Sequence, residues 1–75
     1  MTPAEMTTPG KRMKFLRNAK GLTQETLARQ VFVTQPAVAQ WEADVCLPAR
    51  PTQVLVAEAL GTTRAFLFEE QAVAS

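Results

Sequence analysis

The chain has 75 residues, a formal net charge of +1, one cysteine and no histidine, and 47% of its residues are apolar. That size allows one small domain with a compact core. The lone Cys46 excludes an internal disulfide and fits a reducing compartment, and without histidine no zinc site of the usual ligand count can be built.

No apolar stretch is long enough for a transmembrane helix. The first ten residues lack a basic start followed by an apolar run, so no secretory signal is visible. A cytoplasmic protein with no membrane contact is expected. Residues 1–9, Thr- and Pro-rich without periodicity, read as a flexible leader. Residues 10–70 read as the folded domain and 71–75 as a frayed tail.

A first helix is predicted after Pro9-Gly10, running to about Ala19, with Met13 and Leu16 inward and Phe15 and Ala19 as further candidates. Gly21 follows where a left-handed cap is commonly needed. Thr23 is a good N-cap for a second helix, and Glu25 in its first turn suits the helix dipole. Leu27, Ala28 and Val31 face inward, and the helix ends near Val31 or Phe32.

Thr34 is the predicted N-cap of a third helix. Pro36 falls in its first turn, where a missing amide costs little. Val38 and Trp41 take the inner side, Ala37 joins them, and Glu42 closes the helix. A fourth helix spans about Pro51 or Thr52 to Leu60, with Val54, Leu55, Ala59 and Leu60 inward and Gly61 as its stop. A short fifth starts at Thr63 and returns Phe66 and Leu67 to the core. The expected fold class is all-α, five short helices with no strand.

Charge is unevenly placed. Lys11, Arg12, Lys14, Arg17, Lys20 and Arg29 face only Glu25 in the stretch from Lys11 to Gln30, whereas acids outnumber bases from Val31 onward. A basic patch is an electrostatic footprint for phosphate; a solvated helix face is the plainer alternative.

The third helix would carry Gln35, Pro36, Ala39 and Gln40 on its outer side. Glutamine can pair in bidentate fashion with adenine N6 and N7 in the major groove. Taken alone, both glutamines are also ordinary solvated residues. Ala28 is the small residue that two helices need where they cross, with Val33 and Val38 filling the space between them.

The ordered set Gly21-Leu22-Thr23-Gln24-Glu25-Thr26-Leu27-Ala28, Val33-Thr34-Gln35-Pro36-Ala37-Val38-Ala39-Gln40-Trp41-Glu42, Pro48, Ala57-Glu58-Ala59-Leu60-Gly61 and Phe66-Leu67 resembles the Cro/C1-type helix-turn-helix family, which includes phage repressors. The resemblance covers roughly residues 11 to 69. It implies a compact five-helix repressor-like domain, double-stranded DNA as partner and sequence-specific transcriptional regulation, as a repressor or promoter switch. It implies base contacts from Gln35, Pro36, Ala39 and Gln40, and phosphate contacts from Gln24, Thr34, Lys14 and Arg50. Lys11, Arg12 and Lys20 are further phosphate candidates. It also implies that Gln24 braces the recognition helix and that Arg17 and Glu42 form a structural ion pair. A homodimer on a two-half-site operator is expected, using the fourth and fifth helices through Phe66, Phe68 and the loop near Leu47.

Departures from the family pattern matter too. Phe32 and Asp44 stand where glycine is usual. Val45-Cys46-Leu47 stands where Lys and Arg are usual, which weakens the electrostatic term and leaves apolar surface for a protein partner. Pro36 and Ala39 replace polar readers but could touch a thymine methyl. The alternative function is a protein-interaction module on the same fold, an antitoxin or coactivator-like adaptor. An enzyme is disfavoured by the absence of His, of a Cys–His pair and of a Gly-rich phosphate loop, and no cofactor is implied.

Overall fold

The computed structural model describes residues 7–69. The expected leader and tail therefore lie largely outside the described residues. Five helices follow in order: α1 Pro9–Ala19, α2 Gln24–Gln30, α3 Gln35–Glu42, α4 Arg50–Ala59 and α5 Arg64–Phe68. The described residues contain no strand.

Local chemistry sets most helix starts. The hydroxyls of Thr8, Thr23 and Thr63 accept from the first-turn amides of Lys11, Thr26 and Phe66. Each satisfies a donor that has no partner within its helix. Thr34 occupies the cap position of α3, but its side chain makes no cap hydrogen bond.

Four helices end in one way. A left-handed residue follows the cap at Gly21 (φ +72°), Phe32 (φ +65°), Asp44 (φ +62°) and Gly61 (φ +73°). The next amide then reaches back five residues: Leu22 N to Arg17 O, Val33 N to Ala28 O, Val45 N to Gln40 O and Thr62 N to Ala57 O, all 2.9–3.0 Å. This arrangement satisfies carbonyls left over at a helix end and turns the chain sharply. It explains how four helices fit into so few residues.

α2 packs on α3, α1 on both α3 and α5, and α4 on α5 and α2. Met13, Leu27, Ala28, Val31, Val38, Trp41, Val56, Ala57, Leu60 and Leu67 form the core, with Leu16, Leu22, Val33, Ala37, Ala59 and Phe68 against it. Packing reassigns several expected positions. Val54 and Leu55 are exposed, because α4 turns Gln53, Val56, Ala57 and Leu60 inward. Those four follow the i, i+3, i+4, i+7 spacing of one helix face. The unbroken run Val54-Leu55-Val56 concealed that face, and a glutamine on it was not anticipated. Gln53 is accommodated because its amide donates to Pro48 O (2.9 Å) and accepts from Arg64 (3.0 Å). Phe66 is about one-third exposed and Leu67 alone of that pair is fully buried. Ala19 is exposed and Phe15 half-buried.

Candidate nucleic-acid interface

α3 is anchored on one side and open on the other. Val38 and Trp41 are buried, as expected. Gln35, Pro36 and Gln40 are exposed and Ala39 is half-buried. The four expected base-reading residues thus share the outer side of one short helix.

The position of that helix is fixed by a chain of polar contacts. Arg17 Nε donates to Glu42 Oε2 (2.7 Å) and Arg17 Nη2 to Glu42 Oε1 (3.1 Å), while Nη1 reaches Leu22 O (2.7 Å). Both charged side chains are buried. A paired fork of this kind fixes direction as well as distance. Its value lies in geometry more than in net stability, because desolvation offsets much of the attraction.

The chain continues toward the surface. Gln24 Nε2 donates to Glu42 Oε1 (3.0 Å), and Gln24 Oε1 accepts from Gln35 Nε2 (2.7 Å). Four expected residues, Arg17, Glu42, Gln24 and Gln35, are therefore one hydrogen-bonded series from the core to the exposed front. Sequence reasoning found each member, the Arg17–Glu42 pair and the bracing role of Gln24, and missed that Gln24 bridges Glu42 to Gln35. At the other end of the front, Cys46 Sγ donates weakly to Gln40 Oε1 (3.8 Å).

The C-terminal end of α3 is tied to α1 by an unanticipated residue. Asp44 accepts from Gly10 N (2.9 Å) and from the Thr8 hydroxyl (2.6 Å). Gly10 is needed there, since a Cβ would sit 2.5 Å from Trp41 O and 2.6 Å from Glu42 O. A signal existed in sequence: Asp in place of glycine, able to visit the left-handed region.

The expected cations divide into two groups. Arg12 is not available to phosphate. It is buried, and its Nε and Nη2 donate to Leu67 O at 3.2 and 3.0 Å. Arg17 is neutralised by Glu42. Lys11, Lys14, Lys20 and Arg29 remain exposed on α1, α2 and the turn between them, and Arg50 is exposed at the start of α4. Lys14 and Arg50 take no part in the series that positions α3. Thr34 is exposed at its N-terminus.

A family model described as helix-turn-helix matches residues 13–67. Among solved structures, the P22 c2 repressor in complex with a synthetic operator superimposes with a TM-score of 0.81 at 24% identity, over 83% of this chain and 94% of that one. The restriction-modification controller protein C.AhdI from Aeromonas hydrophila is 32% identical with a TM-score of 0.75, over 87% of this chain and 98% of that one. SinR, a master regulator for biofilm formation solved with DNA, is 23% identical with a TM-score of 0.74, over 80% and 97%. No curated protein matches the chain.

Proposed function

The chain belongs to the Cro/C1-type helix-turn-helix family of DNA-binding transcriptional regulators, and from that premise we propose that α3 enters the major groove with Gln35, Pro36, Ala39 and Gln40 toward the base edges. The supporting observation is the exposed front of α3 on a helix whose other side is locked by Val38, Trp41 and the Arg17–Glu42 pair. Phosphate contacts are assigned to Gln24, Thr34, Lys14 and Arg50, with Lys11 and Lys20 as further donors of positive charge. We place the protein in the cytoplasm, with its DNA.

Binding to two half-sites calls for a second copy about 34 Å away, one helical turn of DNA. We assign that contact to the partly exposed apolar side chains of Leu47 on the loop and Phe66 on α5. Phe68 contributes less, since it packs against the protein's own core. Sedimentation with and without operator tests this assignment; a strict monomer on DNA rejects it.

The test of the DNA reading is selection of bound duplexes from random sequence, followed by titration across salt. Gln35→Ala should relax the preference at one or two positions. Lys14→Ala should weaken binding to all sequences alike and reduce the salt slope by about 0.9, the share of one neutralised phosphate. If Gln35→Ala changes neither affinity nor preference, the reading face is wrong. The exposed loop residues Val45, Cys46 and Leu47 favour a second reading, a protein-interaction module. Stable co-purification with a protein partner, together with no salt-dependent DNA binding, would select it.

A further inference from the structure

We infer that the base pairs under α3 are A·T, recognised largely through thymine C5-methyl groups by Pro36 and Ala39. The inference rests on α3 being the recognition helix. It adds the chemical class of the bases.

The first support is what α3 lacks. Its only ionisable residue is Glu42, and that carboxylate is buried against Arg17. The commonest specific contact to guanine is an Arg or Lys on O6 and N7, and cytosine N4 is read by a carboxylate. The outer side of α3 can supply neither.

The second is what Gln35 has left. Gln24 Oε1 takes one of its two amide hydrogens. An acceptor oxygen and one N–H remain, held in a fixed orientation. Adenine offers the matching pair, the N6 donor and the N7 acceptor.

The third is the arrangement of the apolar groups. Pro36 and Ala39 are three apart and so are neighbours on the helix surface. Gln35 lies four residues before Ala39, and Gln40 four after Pro36, so two amides flank an apolar patch. Pro36 is exposed and Ala39 half-exposed. Both are small and conformationally restricted, so they lose little entropy on contact. In the major groove the one apolar group on a base edge is the thymine methyl. Removing it from water against Pro36 and Ala39 is favourable, whereas cytosine at that place offers no methyl.

The experiment uses the full chain. Duplexes are selected from random sequence, and each thymine of the best half-site is then replaced singly by deoxyuridine, which deletes the methyl and keeps the pairing. We expect A·T pairs at the positions under α3, and one or two uridine replacements that each weaken binding about three- to tenfold. Pro36→Ser should abolish the thymine–uridine difference at one of those positions, and Ala39→Ser should reduce it at the same or the adjacent one. A consensus of G·C pairs there, uridine duplexes bound as tightly as thymine duplexes throughout, or a uridine effect undiminished in both variants overturns the inference and leaves the DNA-binding role standing. Absence of salt-dependent binding to any duplex removes that role and the inference together. The uridine series needs only the unaltered protein, so a poorly folded variant does not blunt it.

Discussion

The two ends of α3 are built to opposite plans. At the exit, Glu42 is gripped by Arg17 and Gln24, Asp44 holds Gly10 and Thr8, and α1 packs so closely at Gly10 that a Cβ there would clash with the Trp41 and Glu42 carbonyl oxygens. At the entrance, Phe32 holds the same left-handed backbone as Asp44 but is 83% exposed, and Thr34 caps by position alone. The exit carries the stability of the helix-turn-helix. At the entrance, Gln35 bonds the Gln24 side chain and the Thr34 hydroxyl makes no cap bond. A helix that must meet another molecule with its N-terminal residues is fixed mainly from the far end.

The largest effect should come from breaking the exit. Glu42→Ala leaves the Arg17 guanidinium buried without its partner, which costs about 3–5 kcal/mol. Small domains have little to spare against that loss. Urea denaturation followed by the fluorescence of Trp41, the one tryptophan, should show a variant largely unfolded near 25 °C. The pair Arg17→Met with Glu42→Leu should recover most of that stability, because apolar replacement of a buried ion pair is often neutral. Gln24 then loses its bond to Glu42, and Gln35 loses the anchored partner that orients it, so DNA affinity should remain low. Recovery of both stability and affinity would show that the ion pair does not position the reading face.

Next in size is Gly10→Ala. The added Cβ meets backbone oxygens, which cannot move aside as a flexible side chain could. Overpacking of this kind costs about 3 kcal/mol. Asp44→Ala should follow at about 2 kcal/mol, through loss of two hydrogen bonds to a charged acceptor with no relief of the backbone. Asp44→Gly loses the same bonds but escapes the left-handed penalty of about 1–2 kcal/mol, so its midpoint in urea should fall by roughly half as much.

These contrasts mark what sequence could and could not reveal. Element order, three of the caps, and the inward placement of Val38 and Trp41 follow from local periodicity and turn chemistry, and they were legible. The outer side of α3 was legible for the same reason: once two residues of a short helix are buried, the rest face out. Tertiary choices were not. Arg12 looks like a phosphate ligand until the carbonyl of Leu67, far along the chain, is found beside it. Val54 and Leu55 look like core until Gln53 proves to be the residue with buried partners. The Gln24–Gln35 contact joins a residue expected to brace the recognition helix to one that, taken alone, looked solvated. In each case the deciding partner lies on another element, where spacing along one helix carries no information.

The smallest effect should have the opposite sign, and it tests the entrance. Phe32→Gly places at φ +65° the residue type that adopts it without a Cβ clash. The ring is so exposed that its removal gives up little burial. The left-handed penalty recovered is about 1–2 kcal/mol, and the greater freedom of glycine in the unfolded chain returns part of it. A net gain of about 1 kcal/mol should raise the thermal midpoint by about 4–8 °C for a domain of this size. Glycine should thus stabilise at Phe32 and destabilise at Asp44, although both stand in one backbone conformation. The difference isolates the side-chain bonds made by one and lacking in the other. A fall in midpoint for Phe32→Gly would mean that the ring is held by contacts within the chain, and the entrance would then be as firmly fixed as the exit.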